Sequence, residues 1–346
     1  MTSIETNNAF IMYGIKTIIT PQVLIAKNYI TASSEKDFEA VERLYNEEVA
    51  KISSVLSAFG LCSMNRSDVC INFDIGEMSL PCTAAQLFTL IKRSNIPSNY
   101  TERAVYDTKA HRKKADKKNL YLESKSVCIN CYPKHEQLKN NYPNCEDLER
   151  SINVVRFEVQ CKYRKLYAIT KNTRHKSRYY IDYEDLSTDE LWETVECNRN
   201  NPANPVDLVL SNAFAAKIIK NYFGKIIRKG DYFTLEGARW MVEAHNFRQD
   251  KSERLLWTLE LIAECRGIEK AKEKLSAEDL FDFKRSLKDL DAICVSPVTI
   301  PRKWGIVHIQ NPLQRYYDII MNERLMFGNE IVFQKLLKQY YSEHTN

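Results

Sequence analysis

The 346-residue sequence holds few residues that break regular structure, with only 9 glycines and 10 prolines. That scarcity excludes collagen-like repeats and glycine- or proline-rich linker architectures. No uncharged apolar run approaches the roughly 20 residues a membrane-spanning helix needs, so a membrane protein is not expected. The opening Met1-Thr-Ser-Ile-Glu-Thr-Asn-Asn8 carries neither a basic segment nor an apolar stretch, so no secretory signal is expected. The expected setting is the cytoplasm, with reduced thiols. Histidine is also scarce: there are 6, and no two flank a single apolar residue. Charge of one sign is nearly absent as a bulk property, since the net excess is +5. Any argument for a polyanionic partner must therefore rest on where the charge lies.

What is present is globular composition, 44% hydrophobic and 27% charged, which argues against disorder. The length favours two domains. Ten cysteines are scattered through the chain, and Cys128-Ile-Asn-Cys131 is the one C-x-x-C. A second close pair is missing, and a strand would point Cys128 and Cys131 to opposite faces. Buried free thiols therefore fit better than structural zinc. Nineteen tyrosines suit base stacking, but tyrosine also fills cores.

The N-terminal half alternates strands and helices. Ala9 to Thr20 reads as a strand bounded by Pro21. Phe38, Val41, Tyr45, Val49, Ile52, Val55 and Phe59 recur at helical spacing. Strands follow at Asn65 to Gly76, in a hairpin from Leu120 to Tyr132, and from Ile152 to Lys162, with short helices from Thr83 and around Glu136. This order gives an α+β layer: an antiparallel sheet with helices on one face. Asn201-Pro-Ala-Asn-Pro205 breaks both patterns. After it the periodicity is helical, from Leu208 to Arg228, Leu235 to His245, Ser252 to Cys265 and Ala277 to Leu290. Two domains are expected, 1–205 and 206–346. Trp240, Trp257 and Trp304 are expected in the core.

Three strands share one chemical pattern. In Arg66-Ser-Asp-Val-Cys-Ile-Asn-Phe-Asp74 the odd positions are apolar except Ser67. Arg66, Asp68, Cys70, Asn72 and Asp74 share the other face. Ser126, Cys128, Asn130 and Tyr132 do the same in a second strand, and Arg156, Glu158, Gln160 and Lys162 in a third. One reading is a polar site whose carboxylates hold a divalent cation through hard oxygens. The other is the solvated face of an ordinary antiparallel sheet.

Asn65-Arg-Ser-Asp-Val-Cys-Ile-Asn-Phe-Asp74 resembles the R-x-D-x-x-x-(N/D) strand of rolling-circle replication initiators of phage and plasmid type, including the initiator–relaxase type. Ser126-Val-Cys-Ile-Asn-Cys-Tyr-Pro-Lys-His-Glu136 resembles their I-x-x-Y-x-K-x-x-E strand, with Lys134 and Glu136 close to the pattern. Val155-Arg-Phe-Glu-Val-Gln160 resembles their R-x-E strand. Gly230-Asp-Tyr-Phe-Thr-Leu235 and Ser296-Pro-Val-Thr-Ile-Pro-Arg302 are similar to segments of the same initiators. The ordered set covers about residues 60 to 305.

The resemblance implies a Rep/relaxase-like sheet domain whose tyrosine attacks a DNA phosphodiester with help from Mg²⁺ or Mn²⁺. The products would be a 5′-phosphotyrosine link and a free 3′-hydroxyl. Related nickases often hold the metal through a His-hydrophobic-His pair, which this chain lacks. Asp68, Glu158 and Gln160 are then the metal candidates, with Lys134 and Arg156 as catalytic cations. Tyr222, followed by Lys225 one turn later, is a candidate nucleophile, although its helical stripe also suits a core tyrosine. Tyr163, Tyr167 and the Tyr179–Tyr180 pair stay open as alternatives.

Local charge supports a nucleic-acid partner. Nine Lys or Arg stand against three acids between Lys92 and Lys118, including Arg112, Lys113, Lys114, Lys117 and Lys118. A second basic stretch from Lys162 to Arg178 contains Arg164 and Lys165 and is interleaved with tyrosines, which suits a single strand. Arg66 and Lys225 complete the expected contacts to origin DNA, single- and double-stranded. Both stretches also read as solvated linkers. The helical half is expected to bind DNA or recruit a partner such as a host helicase, with the 275–302 stretch fitting a winged-helix arrangement. The competing function is a non-catalytic origin-binding initiator or regulator with a degenerate nickase fold.

Overall fold

The computed structural model describes residues 2–5, 11–54, 56, 58–107, 112–116, 118–180, 202–321 and 330–344. Strands β1 (Thr2–Glu5) and β2 (Ile11–Gly14) pair as an antiparallel hairpin; within the expected 9–20 strand, β2 ends at Gly14 and residues 15–20 are not strand. Helix Phe38–Ile52 follows, burying Phe38, Val41, Tyr45 and Val49 on one stripe.

The centre is a five-stranded antiparallel sheet. It contains β3 (Arg66–Asp74), β4 (Thr101–Glu102), β7 (Leu120–Glu123), β8 (Val127–Pro133) and β9 (Val154–Lys162), in the order β3-β9-β8-β7-β4. A separate hairpin, β5 (Ala104–Asp107) with β6 (Arg112–Ala115), leaves the β4 edge. The hairpin expected from Leu120 to Tyr132 is present as β7–β8, and at its turn Ser124 N–H donates to the Val127 carbonyl at 2.9 Å. Thr83 and Gln86 cap helix Ala84–Lys92 reciprocally, the box that Thr-x-x-Gln builds.

Strand parity sorts the two faces. Val69, Ile71 and Phe73 on β3, with Val155, Phe157 and Val159 on β9, are buried in the main core. Helices Ala84–Lys92 and Asn212–Ile226 cover this face. Phe223 of the second helix packs edge-on against Phe157 at 5.4 Å and Phe73 at 5.7 Å. The opposite face is not left open. Pro133 ends the β8 ladder, and helix Lys134–Asn141 starts at once. The 28–31 segment crosses nearby: Asn72 Nδ2 donates to the Ile30 carbonyl, and Arg156 Nη2 donates to that of Tyr29 at 3.3 Å.

The C-terminal region is mostly helical. Helices Leu235–Ala244, Gln249–Cys265, Ala277–Ala292 and Glu330–His344 enclose a second cluster around Phe233, Met241, Leu255, Leu290 and Phe333. Its ladder is a two-residue pairing of β10 (Tyr232–Phe233) with β11 (His308–Ile309). The helix expected from Ala277 to Leu290 runs Ala277–Ala292, and the rest of the 275–302 stretch is not helical up to Pro301: past a turn at 293–294, Val295 bridges Asp231 and Ile300 bridges Thr234. The change of character near 205 is tied down: Asn204, fully buried, donates to the Met64 carbonyl at 3.0 Å. Trp240 and Trp304 pack partly buried against the cores, but Trp257 is 39% exposed. It sits on the outward side of a helix whose buried stripe is Leu255, Leu259 and Ile262. Among the described residues, no helix is long and apolar enough to cross a membrane.

Candidate active site

Register assembles the polar face into rows. Asp68 lies opposite Gln160, which lies opposite Cys128. The next row is Cys70, Glu158, Asn130 and Tyr121, and the next is Asn72, Arg156 and Tyr132. The alternation legible in three separate segments thus becomes one contiguous surface, as cross-strand pairing requires.

A groove of about 710 Å³ opens over this surface, with Asn130, Glu158, Tyr121 and Tyr132 contributed by the sheet. Arg103, Asp116 and Asn119 line one side, and Gln137 of helix Lys134–Asn141 lines another. Glu158 accepts a hydrogen bond from Gln160 Nε2 at 3.0 Å. Asn130 Oδ1 is buried beside Glu158 without a hydrogen-bond partner. A buried orphan acceptor is uncommon and calls for an explanation.

Beneath the groove two cations are nearly sealed from water, Lys134 at 3% exposure and Arg156 at 8%. Arg156 Nε donates to Asn72 Oδ1 at 2.8 Å. Lys134 Nζ donates to Gln137 Oε1 at 2.5 Å. Burial, followed by the like charge of Arg156, holds the Lys134 ammonium down at about 8. Its place in the first turn of a helix also sets it against the positive end of the helix dipole. Tyr132 is 6% exposed. Burial and then the Glu158 charge push its phenol well above the usual tyrosine range, with Arg156 opposing. Burial likewise pushes up the Cys70 thiol in the adjoining row.

The sequence candidates separate into groups. Lys134, Arg156, Glu158 and Gln160 come together. Asp68 shares their face, but both its oxygens are taken by Arg66 near the exposed edge of β3. Tyr222 lies on the other side of the sheet, 5% exposed within the apolar core. There it borders a smaller cavity of about 330 Å³ with Tyr100, Ser124, Ser126 and Lys225. Burial, then Cys161, pushes the Tyr222 phenol up to about 12. The ammonium groups of Lys165 and Lys225 stand 5.5 and 5.4 Å from its ring centre. Tyr163 and Tyr167 lie exposed on helix Tyr163–Thr170. Tyr179 covers Gly60 and donates to Glu42, away from the groove.

Lys118 pairs with Glu136 at 2.9 Å, which places the motif glutamate on the outer surface rather than in the groove. Arg164 is exposed beside Tyr163. Arg112, Lys113 and Lys114 fall in β6, and Lys117 lies outside the described residues.

Sequence reasoning placed Tyr132 on the polar face but did not single it out as a reactive group. The signal was available: Ile129-x-x-Tyr132-x-Lys134 sets the tyrosine and the buried lysine on one face. Asn130 and Gln137 were missed as groove residues. Among the described residues, no group of three or more His, Cys, Asp or Glu is placed to hold a metal ion. Cys70, Cys82, Cys128, Cys131, Cys145, Cys161 and Cys265 are free thiols, and Cys131 lies in the core while Cys128 faces Glu123. No family model, curated protein or solved structure matches the chain.

Proposed function

We propose that this chain is a cytoplasmic replication initiator. It binds origin DNA of a plasmid or phage and nicks one strand by tyrosine transesterification, leaving a 3′-hydroxyl for extension. The observation that carries this reading is the polar sheet face under the groove: Tyr132, Arg156 and Glu158 in adjoining rows, with the buried Lys134 opening the helix that follows β8. On this reading the sheet layer is of the Rep/relaxase type. The helical region serves duplex recognition, with a winged-helix arrangement, or contact with a host helicase.

In this site Tyr132 is the nucleophile, and Lys134 and Arg156 neutralise the phosphodiester it attacks. A divalent cation, Mg²⁺ or Mn²⁺, fits the groove in one respect: Asn130 Oδ1 lacks a partner and stands beside the Glu158 carboxylate. Glu158 and Asn130 would hold it, with phosphate and water oxygens completing a shell of the kind Mg²⁺ prefers. Bound there it would offset charge on the scissile phosphate.

The second reading is an initiator that binds and melts its origin without cutting. It is favoured by the raised phenol of Tyr132 and by the absence of a three-carboxylate or histidine cluster among the described residues.

The test is a nicking assay on supercoiled and single-stranded origin DNA with Mg²⁺ or Mn²⁺, followed by mapping of any peptide–DNA adduct. An adduct on Tyr132, abolished in Tyr132→Phe, supports the nickase. One on Tyr222, Tyr163 or Tyr167 keeps the enzyme and moves the site. Tight origin binding with no nick and no adduct establishes the binding-only initiator.

A further inference from the structure

Helix Tyr163–Thr170 begins where β9 ends and buries Leu166 and Thr170 against the molecule. Its outer side carries Tyr163 and Tyr167, 42% and 41% exposed, four residues apart and therefore neighbours on the helix surface. Their rings stack with centroids 6.1 Å apart and planes inclined by 27°. Neither ring fills a core, so packing does not account for two large aromatics held face to face at the surface. Arg174 extends the stack, its guanidinium lying 4.3 Å from the Tyr167 ring centre. Arg174 Nε and Nη2 are covered and have no hydrogen-bond partner. Its charge is therefore held against an aromatic face and, among the described residues, not neutralised by a carboxylate.

The surroundings are of one sign. From Lys162 to Arg178 the chain carries seven Lys or Arg and no acid. Lys162 pairs with Glu123, and Arg178 with Asp207. Among the described residues, Arg164, Lys165, Lys171, Arg174 and Lys176 make no ion pair with a carboxylate.

We propose that Tyr163, Tyr167 and Arg174 form a stacking platform for the bases of a single-stranded nucleic acid, separate from the groove. Two properties choose this partner. Exposed aromatic faces need flat rings that are free to stack, and unpaired cations need a chain of negative charges. A single strand supplies both, whereas a duplex hides its bases within its own stack. An acidic peptide would answer the charge and leave the tyrosine faces unused. Along the chain, Tyr163 follows Glu158 by five positions, at the end of β9. The proposal shares with the nickase reading only its class of partner.

The experiment is fluorescence anisotropy of a labelled oligodeoxythymidine with the full chain, its Tyr163→Ala/Tyr167→Ala variant, its Tyr163→Phe/Tyr167→Phe variant and Arg174→Gln. A duplex of equal length serves as competitor. Loss of base stacking weakens binding by about tenfold or more in the alanine variant. The phenylalanine variant should bind like the parent, because it keeps the ring faces and loses only the hydroxyls. Arg174→Gln should weaken binding and flatten its salt dependence. Circular dichroism of each variant confirms an unchanged fold. Parent-like binding by the alanine variant, or a duplex that competes as well as a single strand, overturns the platform. Oligonucleotide binding that depends on the tyrosines, without nicking, leaves the platform and removes the nickase. Undiminished adduct formation and binding by the alanine variant does the reverse.

Discussion

Lys134 and Arg156 are two like charges within electrostatic reach of each other, 3% and 8% exposed beneath the same groove. Neither makes a carboxylate ion pair among the described residues, since their hydrogen bonds go to Gln137, Asn72 and the Tyr29 carbonyl. Burying charge without a paired countercharge is unfavourable. Such an arrangement is retained at sites where an incoming anion supplies the missing charge.

Stability should therefore depend on pH through Lys134. Its folded value of about 8 lies below the ordinary 10.5. Below about 8 the group is charged in both folded and unfolded chains, so the whole unfavourable contribution is present. Between about 8 and 10.5 the folded protein has released a proton that the unfolded chain still holds, so stability rises with pH. The shift corresponds to at most ~3 kcal/mol. Lys134→Met should be more stable than the parent at pH 7, with an advantage that shrinks towards pH 10, as read from urea unfolding midpoints. An advantage equal at both pH values would show that Lys134 is not the group responsible. The same substitution should weaken binding of a phosphodiester strand.

Phe223 should tie the two halves of the chain into one unfolding unit. Its ring contacts Phe157 and Phe73 of the sheet from a helix that begins beyond the 205 boundary. Phe223→Ala should cost about 3–5 kcal/mol and destabilise sheet and helices together in one transition. A fragment ending at residue 205 would leave the apolar sheet face without helix Asn212–Ile226. It should show no cooperative melt by circular dichroism. A fragment that melts cooperatively near the parent temperature would make the sheet domain self-sufficient.

What could be read from the sequence was what rests on local period. The β3 alternation, the helix from Thr83, the Leu120 to Tyr132 hairpin and the helical stripe of Phe38 to Val49 all appear where their spacing puts them. What could not be read depends on contacts distant in sequence. Nothing near Arg156 signals that the carbonyl of Tyr29, 127 residues away, accepts from it. Nothing in Lys134 signals burial, because that follows from a helix starting at the end of a strand over a face the 28–31 segment also covers. Tyr222 shows the ambiguity from the other side. A tyrosine one turn before a lysine fits a nucleophile and a core stripe equally, and only the sheet position places it in the apolar layer. The helix from Ala277 ends close to its expected end at Leu290, but nothing local signals that Val295 and Ile300 beyond it bridge to the 231–234 segment.

Asp231, His308 and Tyr341 should act as a clasp for the C-terminal helix. Asp231, 2% exposed, receives His308 Nε2 at 2.9 Å and the Asn311 N–H at 2.8 Å, and His308 Nδ1 meets the Tyr341 hydroxyl at 2.5 Å. Tyr341→Phe removes the hydroxyl's bond to His308 at the partly exposed end and should cost roughly 1 kcal/mol. Asp231→Ala leaves a buried imidazole and a buried backbone N–H unsatisfied, so it should cost roughly 3 kcal/mol. Thermal melts of the two variants check the order. If Tyr341→Phe is the more damaging, the clasp is held from the helix and not from the buried carboxylate.

Two glycines separate lack of space from lack of conformational freedom. At Gly230, a Cβ would lie 2.2 Å from the Val295 carbonyl carbon and 2.3 Å from the Ser296 nitrogen. Both are backbone atoms pinned by the Asp231–Val295 bridge, where Asp231 N–H donates to Cys294 and Ser296 N–H donates to Asp231. Neither side can yield without breaking that pairing, so Gly230→Ala should cost upwards of about 3 kcal/mol. At Gly305 there is nothing within 4 Å of the added carbon, but φ is +67°, and alanine there should cost only about 1 kcal/mol. Melting temperatures of the two variants give the comparison directly. A Gly305→Ala penalty equal to or above that of Gly230→Ala would mean that the 230–231 backbone can move away from Val295. The close approach would then not explain why a glycine stands before Asp231.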